Sequence, residues 1–219
     1  MAGLVNCKYF VEYSQDVDYS LAMIEQDIRT QILSAAEARF TQYGYGKTTM
    51  AEIARDCGMS AANLYRHYEN KLDIGAAMAG LFFAEEYRQL AKIVYRDDLT
   101  AMEKLEAFTL HSLHHCHKYF TTSPRIIELV EVMSVQSPCV CDDHQQQKIK
   151  LLQELLMQAQ EKDEFIVNDV PASAEAIHMA TLTFRLPMMM PRYTLVELEK
   201  GARTLCQMIA MGLQDKNTK

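Results

Sequence analysis

An all-α fold of about nine helices, with a small N-terminal head and a larger helical body, is what this sequence predicts. Three observations carry that expectation. Apolar residues recur three and four apart through most of the chain, and no stretch alternates convincingly with period two. Gly and Pro are few, 8 and 5 of 219 residues, whereas Met, a good helix former that fills irregular gaps, supplies 14. Residues that cap helix N-termini stand just ahead of several periodic stretches. A hydrophobic share of 49% with 23% charged residues is enough for a full globular core.

In chain order, residues 1–22 show no clear period and are expected to form an N-terminal extension, disordered or helical, outside the folded domains. A first helix is expected from Ile24 to Tyr43, with Ile28, Ile32, Ala35, Ala36, Arg39 and Phe40 as its stripe and Gly44 as its stop. Thr49 followed by Glu52 is a capping box, so a second helix starts at Met50 and turns Ile53, Ala54 and Cys57 to one side. Gly58 supplies the left-handed residue on which such a helix ends. Ser60 caps a short third helix whose Leu64 and Tyr68 face the second. A fourth begins at Asn70 and runs towards Val94, and Arg96-Asp97-Asp98 breaks the pattern. Further helices are expected over about 100–120, 124–136, 139–162, 172–186 and 195–213. Ser123-Pro124 and Ser137-Pro138 place a cap before a Pro at the first helical position, and Thr194 with Glu197 forms another capping box. The expected domains are the extension 1–22, a head at 23–72 and a body at 73–219.

Helix, tight turn and short second helix over residues 47–71 is the layout of a DNA-binding helix-turn-helix, whose second helix enters the major groove. The stretch GYGKTTMAEIARDCGMSAANLYRHYENK (44–71) resembles the N-terminal signature of the tetracycline-repressor (TetR) family. Gly44-Tyr45, Thr48-Thr49, Ile53-Ala54, Gly58, Ser60, Leu64-Tyr65, His67-Tyr68 and Lys71 carry the match. The resemblance is strong over about residues 25–75 and only architectural beyond them. It implies a one-component transcriptional regulator, most often a repressor, that binds a near-palindromic DNA operator as a homodimer and is released by a small molecule. It also implies DNA contacts from Thr49, Ser60, Ala61, Ala62, Asn63, Tyr65, Arg66, His67 and Lys71. Thr49, Tyr65, His67 and Lys71 would hold phosphates, while Asn63 and Arg66 would reach bases.

The net charge of −7 speaks against a chain coated in basic residues for non-specific nucleic-acid binding. DNA binding must rest on a few placed contacts, doubled by dimerisation. The final two helices offer a dimer surface of Ile177 and Phe184 with Leu198, Ala202, Leu205 and Ile209, which the resemblance favours over packing inside one subunit.

HSLHHCH (111–117) is the first candidate for chemistry. On a helical wheel His111 and His114 share a solvated edge with Lys104 and Lys118, while His115 lies with Leu105, Phe108, Ser112 and Tyr119 on a buried face. These histidines cannot converge on one ion from a single helix. A metal would need Cys139, Cys141, Asp142, Asp143, His144 or His178, and the Cys-x-Cys of PCVCDDH is not a structural zinc pattern. No metal or cofactor is therefore expected, with a metal- or redox-responsive regulator as the alternative. His115, Tyr119 and His178 can instead anchor a ligand in an apolar pocket walled by Met157, Met179 and Phe184. No catalytic residues are expected, since Gly-rich phosphate loop, GxSxG and HExxH are all missing. An enzyme or interaction protein with a structural helix-turn-helix is the alternative from another class. The six Cys show no CxxC pair, no apolar run approaches a bilayer span and no signal peptide is visible. The expected setting is the cytoplasm, away from membranes.

Overall fold

The computed structural model describes residues 19–214, with side chains from Glu25 on. Among the described residues it holds nine α-helices and no strand: α1 (Tyr19–Tyr43), α2 (Met50–Asp56), α3 (Ala61–His67), α4 (Lys71–Val94), α5 (Ala101–Thr122), α6 (Pro124–Gln136), α7 (Pro138–Glu161), α8 (Val170–Ala180) and α9 (Leu195–Gln214). The first helix starts at Tyr19, earlier than expected; the rest of the 1–22 extension lies outside the described residues. The chain divides into two compact units that do not follow chain order. One comprises the described residues up to Phe83 together with Ser123–Asp143; the other comprises Ala84–Thr122 and the chain from His144 on. The boundary read from the sequence at residue 72 differs from this because α6 and the start of α7 return to the first unit.

In the first unit, α1 packs on α2 and α6, and α2 on α3. Ile32, Ala36 and Phe40 of α1, Ile53 of α2 and Leu64 of α3 are fully buried. Gly44 and Gly58 both have positive φ (86° and 68°), the conformation that ends α1 and opens the turn after α2 without a Cβ clash. Thr49 and Glu52 make the full capping box, and Ser60 accepts from the Asn63 amide. Asn70 Oδ1 likewise accepts from the Asp73 amide at the start of α4. Ser123 makes no side-chain cap for α6, however; there only Pro124, with its φ already helical, prepares the first turn.

In the second unit, α5 runs against α9. Leu90, Leu105, Leu152, Leu155 and Cys206 belong to one apolar cluster, and Leu113, Cys116, Phe184, Leu198 and Ala202 to another. Thr100–Glu103 and Thr194–Glu197 cap α5 and α9 by the same reciprocal pattern as Thr49–Glu52. The helix expected over 172–186 ends at Ala180. Thr181 turns its hydroxyl back onto the Ile177 and His178 carbonyls, and 3-10 turns at Leu182–Phe184 and Pro187–Met189 follow. Lys104, expected on a solvated edge, is only 2% exposed, with its ammonium donating to Gln158 Oε1 at 2.8 Å.

Candidate functional site

The first unit presents a surface built on α2 and α3. Leu64 and Tyr68 turn inward, so Ala61, Ala62, Tyr65 and Arg66 are left exposed on α3, with Thr49 and Ser60 exposed ahead of the two helices. Small residues at the first turn of α3 let its backbone approach another surface closely. The acidic side chains nearby are tied back. Arg39 on α1 bridges Asp56 at 2.5 Å and Glu52 at 3.3 Å. This hydrogen bond holds the Asp56 carboxyl below the usual carboxylate range, while the Thr49 hydrogen bonds do most to lower Glu52. Arg55, exposed, also lies 3.6 Å from Asp56, so Lys47 and Arg66 are the exposed cations of this surface outside the Arg39–Glu52–Asp56 group.

Other expected contact residues turn towards the protein. His67 Nδ1 lies 2.8 Å from Glu25 Oε1 and its side chain is 8% exposed. Lys71 donates to the carbonyls of Tyr45 and Thr48, each at 2.8 Å, and sits 4.4 Å from the Tyr45 ring centre. It laces the loop between α1 and α2 to the start of α4. Arg29 donates to the His67 carbonyl at 3.0 Å and lies over the Tyr68 ring, closing the C-terminus of α3. Asn63 is half-buried beside Met59.

The second unit hides its polar chemistry. Glu86 on α4 accepts from Lys148 Nζ at 2.6 Å and pairs with His144 Nε2 at 2.7 Å, both from α7; Lys148 also donates to Ser112 Oγ of α5 at 2.9 Å. All four side chains are buried. Burial by itself would raise the Glu86 carboxyl, but Lys148 and His144 together outweigh it and hold it well below the usual range. Burial pushes the Lys148 ammonium down to about 8, against the pull of Glu86. Burial also lowers His144, with Glu86 opposing. Beside this cluster Arg185 donates to Gln145 Oε1 and to His178 Nε2, both at 2.8 Å. Burial, then Arg185 and Lys148, push His178 down to about 3. At neutral pH the cluster thus holds one anion (Glu86), two cations (Lys148 and Arg185) and neutral imidazoles. A small cavity of about 10 Å³ is lined by Phe108, Thr109, Ser112, Lys148, His178, Thr181 and Arg185.

Of the expected ligand residues, only His178 lines this cavity. The His115 and Tyr119 rings lie 5.0 Å apart, tilted by 52°, and neither lines the cavity; burial pushes the His115 imidazole down to about 4. Phe184 is core, against Leu113 and Leu198, while Met157 and Met179 are exposed, 40% and 62%. Among the expected dimer residues, Ile177, Phe184, Leu198 and Ala202 are buried within the unit, and Leu205 and Ile209 are half-buried. The apolar face left open lies on Val196, Met208 and Met211 of α9 and Met179 of α8. The residues that sequence reading missed are Glu86, Lys148 and Arg185. A signal for two of them exists: Glu86 sits in the buried series Ala79, Phe83, Leu90 and Val94, and His144 and Lys148 in the series Leu151, Leu152, Leu155 and Ala159. A charge at a position where helical spacing demands an apolar residue marks a buried partner. Among the described residues, no group of three or more His, Cys, Asp or Glu could hold a metal ion, and no helix is long and apolar enough to cross a membrane.

Residues 32–78 match the family model for bacterial regulatory proteins of the tetR family, and residues 101–208 match that for the tetracyclin repressor-like C-terminal domain. The chain belongs to the TetR family. It is a DNA-binding regulator of transcription by that membership, with a helix-turn-helix at α2–α3. A curated relative, the HTH-type transcriptional regulator TtgR of Pseudomonas putida, is 38% identical over 53 residues, 24% of this chain and 25% of the relative. UidR of Escherichia coli, another HTH-type transcriptional regulator, is 24% identical over 105 residues, 48% of this chain. The match spans about half of UidR's length (51%). The fold is shared with solved structures. SmeT, described as the repressor of the Stenotrophomonas maltophilia multidrug efflux pump SmeDEF, aligns with a TM-score of 0.63 at 19% identity over 86% of this chain and 91% of its own. A regulator from Pseudomonas aeruginosa PAO1 aligns with a TM-score of 0.68 at 18% identity, over 92% and 96%. One SmeT structure is a complex with triclosan.

Proposed function

We propose that this TetR-family chain is a one-component repressor in the cytoplasm, which binds a near-palindromic operator as a homodimer and releases it when a small molecule binds in the body. The observation that carries the DNA-binding part is the division of α3: Leu64 and Tyr68 inward, Ala61, Ala62, Tyr65 and Arg66 outward, with the nearby acids matched by Arg39. A helix so presented reads base edges in the major groove, and Asn63 and Arg66 carry the side chains suited to that task. Dimerisation is supported by Val196, Met208 and Met211, three exposed large apolar residues that helical spacing puts on one side of α9. The effector reading is supported by the triclosan complex of the fold relative SmeT and by the polar-lined cavity in the second unit. An effector lowers DNA affinity only if it favours one conformation, by roughly the factor it changes binding.

The test is a titration of DNA from upstream of the chain's own gene, run over a range of salt concentrations. Binding whose logarithm falls linearly with log salt, at a stoichiometry of two chains per site, supports the reading. Salt-independent binding, or one chain per site, would overturn it.

A further inference from the structure

Among the described residues Arg185 is a cation without a carboxylate of its own. Its guanidinium donates to an amide oxygen (Gln145 Oε1), an imidazole nitrogen (His178 Nε2) and the His178 carbonyl, and its Nε is buried with no partner among the described residues. Glu86, the acid of the cluster, is already engaged by Lys148 and His144. The cavity beside these groups has a surplus of donors. Lys148 carries three N–H groups and spends one on Glu86 and one on Ser112. Since Ser112 Oγ accepts there, its own hydroxyl proton points elsewhere. Thr109 and Thr181 spend their hydroxyl protons on backbone carbonyls of their own helical turns. A guanidinium with an unspent N–H, an ammonium with a third N–H and a free hydroxyl proton therefore border a cavity with room for roughly one water-sized atom or group.

We infer that this cavity is a headgroup subsite for a monovalent anion, seated against Arg185, Lys148 and Ser112. A single carboxylate oxygen or a halide ion can accept from the unspent guanidinium N–H and the ammonium N–H together, and charge-assisted bonds of this kind are the stronger class of hydrogen bond. A neutral apolar molecule would leave these donors buried and unpaired, which is costly. The same chemistry can come from two sources, the carboxylate of an effector or a free inorganic anion, and Phe108 supplies an apolar wall against which an effector's hydrocarbon part could begin. The inference rests on the effector reading above and sharpens it: the ligand is an organic acid.

The full chain is titrated with acetate, benzoate and octanoate, with benzyl alcohol and octan-1-ol as their neutral counterparts, and with chloride. Calorimetry reads binding, and release of operator DNA reads function. At least one carboxylate is expected to bind ten-fold or more tightly than its alcohol and to release the operator. Arg185→Gln should erase that preference, and Arg185→Lys, which keeps the charge, should retain part of it; circular dichroism establishes that both variants fold. Chloride binding that is lost in Arg185→Gln and leaves the operator complex intact still upholds the subsite and assigns it to a free anion. Alcohols binding as well as acids, a preference untouched by Arg185→Gln, or no anion bound at all would overturn the subsite. Operator release by alcohols would then leave the effector reading standing. Arg185-dependent binding of a carboxylate without operator release would do the opposite, ending the effector reading while keeping the subsite.

Discussion

The two units handle charge in opposite ways. In the first, Arg39 reaches across to Glu52 and Asp56 near the surface, and the result is an outer face with its acids matched and Arg55 and Arg66 exposed. In the second, Glu86, His144 and Lys148 are withdrawn from water altogether and Arg185 is only half-exposed. The carboxylates of the first kind stay partly in water, so such pairing contributes little stability, and its value here is to shape a surface for another molecule. A buried group of the second kind is costly to assemble and costlier to break. The contrast teaches that the head is built to be read from outside, while the body is built so that a charge entering or leaving its interior matters.

The largest effect should come from breaking the buried group. Glu86→Ala leaves Lys148 charged and unmatched in the core, and truncation of one partner of a buried pair costs about 3–5 kcal/mol. Urea unfolding should show that loss. Glu86→Leu combined with Lys148→Met removes both charges and should recover most of it. If Glu86→Ala unfolds at the parent's midpoint, the group is solvated and the contrast between the units collapses.

Acid should act on the same region. His178 at about 3 and His115 at about 4 are held below the ordinary imidazole value, so the folded chain keeps them neutral while the unfolded chain takes up protons first. Their contribution is complete above the unfolded value near 6.5 and is lost as pH falls from there towards 4, at about 1.4 kcal/mol per pH unit for each histidine. Glu86 acts in the same direction at lower pH: its carboxyl is depressed in the fold, so its contribution is full above the ordinary carboxylate value and is lost as pH falls from there through the folded value. Thermal unfolding between pH 7 and 4 should therefore steepen near 6, and His178→Gln with His115→Gln should flatten it. An unchanged slope in the double variant would mean that both rings take up protons in the fold as they do in the unfolded chain.

The head breaks differently. Arg66→Ala should cost operator binding about 1–3 kcal/mol and relax preference at one base position, with no loss of stability. Lys71→Ala should instead lower stability with little change in the salt slope, because its ammonium is spent on the Tyr45 and Thr48 carbonyls. A slope reduced by about one unit would place Lys71 on a phosphate after all.

How much of this was legible in the sequence follows the distance between partners. The capping boxes, Gly44, Gly58 and Ser60 act within five residues of themselves, and the sequence shows both cause and effect. The α3 surface was legible because α3 and the element it packs on are neighbours in the chain. Glu86 and Lys148 are 62 residues apart, and Lys104 and Gln158 are 54 apart. No local pattern says which stripes will meet, so Lys104 read as solvated, and Met157 and Met179 read as a pocket wall although they face outward. The end of α8 carries no local signal: Thr181 bonds its hydroxyl back onto the Ile177 carbonyl, but Thr109 does the same in the middle of α5.

The smallest effect is also the cleanest comparison, because the same cap occurs in both units. Thr49 and Thr194 each accept from the amide three residues on at 3.3 Å, and Glu52 and Glu197 each return to the Thr amide, at 2.9 and 2.8 Å. Deleting an N-cap costs about 1 kcal/mol, so Thr49→Ala and Thr194→Ala should lower stability by similar amounts. Their effects on DNA should part. Thr49 is exposed at the start of α2, beside the face that α3 presents, and its loss should weaken operator binding beyond the stability change. Thr194 caps α9 in the other unit, and its loss should leave the affinity of the folded fraction where it was. Equal losses of operator affinity would mean that α9's start is coupled to the head; no loss in either would mean that α2 serves only to hold α3.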